Sequence, residues 1–157
     1  MISIDEYLVF VDEALDGMVA IVEELGDALA NRRLDVPETN SPYVLLEHCL
    51  GVIEFWGGHL VAGRPTERDR DSEFRARGSV SDLVTRARRA GAQLHADAGG
   101  AAVHAPLRNP PKPEDAGLPL GRTQGGALFH IYEELAQHRG QMEATRDAMS
   151  APWGRLK

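Results

Sequence analysis

Long helical periodicity is the feature that most restricts how this chain of 157 residues can fold. From Ile4 to Leu29, apolar residues recur at helical spacing and acidic residues fall off that stripe, as in an amphipathic helix. Strand-like alternation and internal repeats are not evident elsewhere. The pattern therefore predicts an all-α protein whose first helix faces the core through Tyr7, Phe10, Val11, Ala14, Leu15, Met18, Val19, Val22 and Leu25.

Three further helices follow the first. The second begins at Pro42 after the capping residue Ser41 and runs to about Val61, and it should be central because it is apolar on most sides. The third follows a serine cap, Ser79 or Ser81, and runs to about Ala98. The last runs from about Thr123 to Met149.

The segments between these helices differ in character. Residues 63–78 carry nearly balanced charges, which predicts a solvated loop, whereas residues 99–122 are rich in proline and form a long irregular connection. Four helices with one long crossover make a four-helix bundle. We expect residues 1–157 to form a single domain.

Composition and charge limit which binding partners and which cellular location are expected for the protein. Seventeen basic and 24 acidic side chains give a net charge of −7, which disfavours binding to nucleic acid or anionic membranes. Acidic residues interrupt the longest apolar stretches and also occupy the N-terminus, where a signal peptide would be basic. Cys49, the one cysteine, is predicted to be a buried small apolar residue. We therefore expect a cytoplasmic protein that does not bind membranes.

Glu134 and His138 are the strongest candidates for chemistry. They lie four residues apart on the last helix, a spacing that lets a carboxylate and an imidazole bind one metal ion. His48 is the candidate third ligand, because an unpaired imidazole would be costly to bury in the most apolar helix. Two nitrogens and one oxygen suit zinc or a similar divalent ion, and they leave a position for water or substrate.

Other interpretations of the histidines remain open at this point. A histidine in a core helix is more often hydrogen-bonded to a neighbour than bound to a metal, and Glu-x-x-x-His often occurs by chance. His130 shares a stripe with Glu134 and His138, so it could replace a ligand, line the pocket or simply pack. We count His130 as a candidate cofactor-binding residue. His59 lies about 16 Å from His48 along the same helix, too far to share an ion.

Two segments resemble a known family. Leu45–Trp56 places His48 in an apolar helix ending in tryptophan, and Phe129–Gln141 places Glu134 four residues before a His-x-Gly-Gln motif. Together they resemble the DinB/YfiT-like superfamily of metal-binding four-helix bundles over nearly the whole chain. Many members have histidine at the position of Glu134, whereas the mycothiol-dependent maleylpyruvate isomerase branch has glutamate. The resemblance implies that His48, Glu134 and His138 bind a metal ion.

The resemblance also implies a chemistry. Several members are S-transferases that use zinc to bind a low-molecular-weight thiol such as mycothiol or bacillithiol. Coordination lowers the pKa of a thiol, ordinarily about 8.5, so a thiolate forms at neutral pH. The implied function is a thiol S-transferase, dependent on zinc or nickel, in which a mycothiol-like thiol attacks a small electrophile. Maleylpyruvate isomerisation is not expected, because those isomerases carry a further C-terminal domain and this sequence ends at Lys157.

Two further expectations concern a competing function and assembly. In the competing hypothesis, the protein is a non-catalytic metal-binding bundle that binds a ligand or partner through its long loop. Thiol-dependent turnover would discriminate between the two. We also expect a homodimer, because bundles of this family often pair and the first helix carries apolar residues outside its stripe, namely Ile4, Leu8, Val9 and Ile21.

Overall fold

Four long helices and one short helix make up the part of the fold that the structure describes. The computed structural model describes residues 2–113 and 121–150. In chain order the helices are α1 (Ile4–Ala30), α2 (Pro42–Val52), α3 (Arg70–Glu73), α4 (Val80–Gly99) and α5 (Gln124–Ser150), and a π-helical segment, Ile53–Val61, continues α2. Within the two described ranges no strand occurs, and the predicted all-α bundle is confirmed.

Serine side chains fix the start of three long helices. The Ser3 hydroxyl accepts a hydrogen bond from the Glu6 backbone N–H, and the Glu6 carboxylate accepts one in return from the Ser3 N–H. Ser41 caps α2, with Pro42 at the first helical position, and Ser79 caps α4. The predicted starts of the second and third helices are therefore confirmed, with Ser79 rather than Ser81 as the cap.

Gly26 interrupts α1 near its end. Its φ of 64° and ψ of 175° lie outside the helical region, in a conformation that glycine adopts without steric cost. Beyond this break, the Asp27 carboxylate accepts a hydrogen bond of 2.7 Å from the Val80 N–H. The end of α1 is thereby joined to the start of α4.

The helix formed by α2 and the π-helical segment lies at the centre of the bundle, as predicted. All residues of α2 except Glu47 and Gly51 are buried, and the π-helical segment packs against both α4 and α5. Contrary to expectation, Pro42–Val61 is long and apolar enough to cross a membrane, but 78% of its most apolar window is buried among the other helices. Such burial is typical of a core helix in a bundle.

The exposed and buried faces of α1 differ from the prediction at three positions. Phe10, predicted to lie in the core, is 47% exposed and packs edge-on against Tyr132. Leu8 and Ile21, predicted to lie outside the core-facing stripe, are buried. Because α1 packs against both α4 and α5, its buried face is wider than a single stripe. Leu8 and Ile21 therefore no longer support the predicted homodimer, whereas Val9 remains exposed.

The two long connections are attached to the bundle by specific contacts. Residues 63–78 include α3 and are not simply the predicted solvated loop, since Glu73 is buried against α2 and pairs with the half-buried Arg68. In the connection between α4 and α5, the Arg108 N–H donates a 2.8 Å hydrogen bond to the Leu60 carbonyl. Residues 114–120 of that connection, Pro119 among them, lie outside the described residues, as does Trp153.

Gly57 allows the π-helical segment to approach α4 closely. A Cβ atom at this position would lie 2.7 Å from the Leu94 Cδ1 atom, and Leu94 is fully buried. Glycine disfavours a helix interior, so Gly57 and Gly58 would by propensity alone weaken the last turns of this helix. Both glycines are buried within continuous helical structure that extends to Val61.

We expect Gly57→Ala to destabilise the protein by about 1–3 kcal/mol, because the added methyl overpacks the core against Leu94. Alanine has the higher helix propensity, so propensity alone predicts the opposite sign. Urea unfolding measures the difference in unfolding free energy between Gly57→Ala and the wild type. Gly140→Ala is the matched control, since Gly140 is an exposed helical glycine whose Cβ would meet nothing within 4 Å. Equal stability of the two variants would contradict the packing argument.

Candidate metal centre

Helix α2 holds His48 in the interior of the bundle. The imidazole is 4% exposed, and its Nε2 atom points at α5, where it lies 3.2 Å from Glu134 Oε2. Phe74, which follows α3, packs against the imidazole with ring centroids 5.0 Å apart. His48 is thus confined from several sides in an orientation that directs Nε2 toward α5.

Helix α5 brings Glu134 and His138 to the same point. They are four residues apart, and His138 Nε2 lies 3.2 Å from the Oε2 atom that His48 approaches. One potential ligand atom from each of the three residues lies within 4.8 Å of the others. The structure therefore brings together the three residues that the sequence nominated as metal ligands.

The other ring nitrogens of the two histidines indicate how the protons are arranged. His48 Nδ1 lies 2.8 Å from a Glu73 carboxylate oxygen, and His138 Nδ1 lies 3.1 Å from Gln141 Oε1. These oxygens can accept a hydrogen bond from each Nδ1, so in the neutral rings that a metal ion requires, the lone pair of each Nε2 faces Glu134. A nitrogen lone pair and a carboxylate oxygen repel each other unless a proton or a metal ion lies between them. This donor set fits a divalent ion with nitrogen and oxygen ligands.

Electrostatics favour the charged form of the carboxylates. Hydrogen bonds from His138 and His48 hold the pKa of Glu134 well below its ordinary value. Burial lowers the pKa of His48, but its hydrogen bonds to Glu134 and Glu73 outweigh burial and raise that pKa overall. Glu134 is thus an ionised carboxylate, which is the protonation state that a metal ligand needs, and a divalent ion has to replace the proton that these contacts favour between His48 and Glu134.

Glu73 and Arg68 form a second layer behind His48 that the sequence did not predict. Arg68 Nε and Nη2 donate hydrogen bonds of 2.7 and 2.9 Å to the two oxygens of Glu73. These hydrogen bonds and the one from His48 outweigh burial and lower the pKa of Glu73. Phe74 is the sequence feature that could have indicated that this segment packs against the bundle, because an aromatic residue inside a charged stretch is a candidate for burial.

His130 lies beside the cluster without joining it. Its Nε2 atom is 3.7 Å from Glu134 Oε1, and its Nδ1 atom is 3.1 Å from a Glu133 oxygen. The Trp56 ring packs against the imidazole with centroids 4.2 Å apart. This position beside the centre is compatible with the predicted role in cofactor binding, and that role stays a prediction.

The remaining histidines and the cysteine lie apart from the cluster. His59 Nδ1 lies 3.1 Å from the Arg64 carbonyl, His95 pairs with Asp12, and His104 is exposed. Cys49 is fully buried, and burial raises the pKa of its thiol well above the ordinary value. A protonated, inaccessible thiol is a poor nucleophile, consistent with the prediction that Cys49 is a small apolar core residue.

The fold and the cluster together define a class of protein. A helical bundle whose central and last helices direct two imidazoles and a carboxylate to one point is a DinB/YfiT-like bundle with a candidate metal site. The Mycothiol-S-transferase family model matches residues 7–151, and the chain belongs to that family. A comparison with curated proteins found no match. Family membership supports a role in thiol S-transfer and implies a small-molecule thiol partner.

Proposed function

We propose that the protein binds one divalent ion, zinc or nickel, through His48, Glu134 and His138, and transfers a mycothiol-like thiol to a small electrophile. The observation that carries this proposal is the pair of imidazole Nε2 atoms that face one Glu134 oxygen, each at 3.2 Å. The family match supports the thiol as the partner.

Each residue of the centre contributes a defined property. A divalent ion lowers the pKa of a coordinated thiol and thereby supplies a thiolate at neutral pH. Because Glu134 is the one carboxylate among the three ligands, the formal charge of the loaded site is near +1. An incoming thiolate therefore encounters electrostatic attraction. His130 lies beside the ligands with its ring packed against the buried Trp56, and we assign His130 to contact with the bound thiol.

We expect thiol transfer to require the metal. The assay mixes mycothiol with an activated aryl chloride, where a carbon–sulfur bond forms and chloride leaves, and follows loss of the thiol. Protein reloaded with zinc should accelerate the reaction, whereas metal-depleted protein and His138→Ala should return it to the rate without protein. His104→Ala is the control, because His104 is exposed and outside the cluster.

The assay also tests the competing function. Equal rates for zinc-loaded and metal-depleted protein would contradict metal-dependent transfer. Zinc binding without acceleration for any thiol and electrophile pair would instead favour a non-catalytic metal-binding bundle, because a structural metal has no reason to accept a thiol.

Assembly and location are further parts of the proposal. Val9 and Phe10 expose apolar surface on α1, which supports a homodimer that buries this face. Sedimentation velocity tests it, and a monomer at all concentrations would contradict it. The net charge of −7 supports the absence of a nucleic-acid partner, and we retain the cytoplasm as the predicted location.

A further inference from the structure

We propose that Glu73, held by Arg68, is a positioning residue that fixes the His48 ring so that its Nε2 atom is available to the metal. The inference rests on the proposed metal site and extends it to two residues of the connection between α2 and α4. A residue with this role touches neither the ion nor the thiol, and it acts through His48 alone.

The Glu73 carboxylate is built into the interior. Its side chain is 8% exposed, that of Arg68 is 10% exposed, and the two are joined by a pair of parallel hydrogen bonds. A buried carboxylate without such partners would be costly. Arg68 therefore neutralises Glu73 and leaves one carboxylate oxygen directed at His48 Nδ1, 2.8 Å away.

This contact selects one tautomer of His48. An ionised carboxylate accepts hydrogen bonds and cannot donate them, so Glu73, 2.8 Å from Nδ1, stabilises the form in which Nδ1 carries the hydrogen, over the form that donates from Nε2 to Glu134 at 3.2 Å. An Nη2 atom of Arg68 also lies 3.3 Å from Nδ1, but it already donates to Glu73 at the shorter distance of 2.9 Å. The neutral ring then has its lone pair on Nε2, the nitrogen that faces Glu134 and His138.

Gly51 provides the space that this arrangement needs. It lies on α2 three residues after His48, and a Cβ atom there would lie 2.7 Å from Glu73 Cδ and closer still to one carboxylate oxygen. The carboxylate cannot easily move aside, since Arg68 and His48 hold both of its oxygens. Helix α2 is thus open at the position where Glu73 reaches the histidine.

The first test measures zinc affinity by competition with a chromophoric chelator. Glu73→Gln keeps the shape of the side chain but removes its charge, and we expect zinc to bind about 10–100-fold more weakly. Glu67→Gln is the matched control, because it makes the same change at an exposed position of the same connection. Gly51→Ala, which retains Glu73 but crowds it, should weaken zinc binding in the same direction.

The second test observes the His48 ring directly by nitrogen NMR of the metal-free protein. At alkaline pH, where the ring is neutral, Nδ1 should be the protonated nitrogen in the wild type, and in Glu73→Gln this preference should be reduced. A purely structural role for Glu73 would lower thermal stability without changing the tautomer or the affinity of the folded protein. This measurement also separates the two proposals, because the tautomer is defined even if the wild type binds no zinc.

The outcomes are distinct. Weaker zinc binding and a changed tautomer in Glu73→Gln, with neither change in Glu67→Gln, would support the positioning role. Unchanged affinity in folded Glu73→Gln, or a wild-type ring protonated on Nε2 alone, would overturn it. Failure of the wild type to bind zinc would refute the proposed metal site, and the NMR result would then decide the Glu73 contact alone.

Discussion

Replacing Glu134 with alanine is expected to remove zinc binding. Glu134 Oε2 is the atom that both His48 Nε2 and His138 Nε2 approach, so the variant loses the one anionic ligand and the centre of the cluster. Loss of a residue that only supports a ligand typically costs about 10–100-fold in affinity, and loss of a ligand should cost more than about 100-fold. Metal content after dialysis in dilute zinc should fall from one ion per chain to a trace.

Glu143→Ala provides the control for that result. Glu143 is a carboxylate on the same helix, but it pairs with Arg139 on another face. This variant should retain the full metal content of the wild type. Equal metal content in Glu134→Ala and the wild type would refute the assignment of Glu134.

Trp56→Ala is expected to destabilise the protein by about 3–5 kcal/mol, the largest loss of stability that we predict. Trp56 is 2% exposed in the π-helical segment, and its ring packs against His130 and Phe55. Truncation leaves a large cavity between the central helix and α5. Urea unfolding measures the difference in unfolding free energy between the two proteins, when both curves are fitted with the same dependence of that free energy on urea concentration.

Phe129→Ala is the matched aromatic truncation. Phe129 is 56% exposed on α5, so its loss should cost about 1 kcal/mol or less. If Trp56→Ala and Phe129→Ala lost similar amounts of stability, the account of the core around Trp56 would be wrong.

The three candidate ligands were predictable because local rules govern their positions. Helical spacing places Glu134 and His138 on one face, and the apolar surroundings of His48 indicate that its ring needs a polar partner in the core. The serine caps likewise predicted where α2 and α4 begin. Such features depend on residues that are neighbours in sequence.

Glu73 could not be predicted in the same way. It meets His48 across 25 residues of chain, and the stretch around it has balanced charges without helical periodicity, which resembles a solvated loop. Burial of its charge depends on Arg68 and on the absence of a side chain at Gly51. These are properties of the packed structure.

The errors on α1 have a related cause. The prediction of a single apolar stripe holds for a helix with one neighbouring surface, but α1 packs against both α4 and α5. This packing buries Leu8 and Ile21 and leaves Phe10 partly exposed to solvent. The sequence predicted a helix to about Val61 but not the π-helical geometry of Ile53–Val61. Close contact with Leu94 accounts for the small residue at Gly57.

Anomalous diffraction at the zinc edge, from crystals of the wild-type protein grown with zinc, tests the central claim most directly. We predict one strong peak per chain at bonding distance, about 2.0–2.2 Å, from His48 Nε2, His138 Nε2 and a Glu134 oxygen. The absence of a peak between these residues, or a strong peak held by other side chains alone, would contradict the assignment of this cluster as the metal centre.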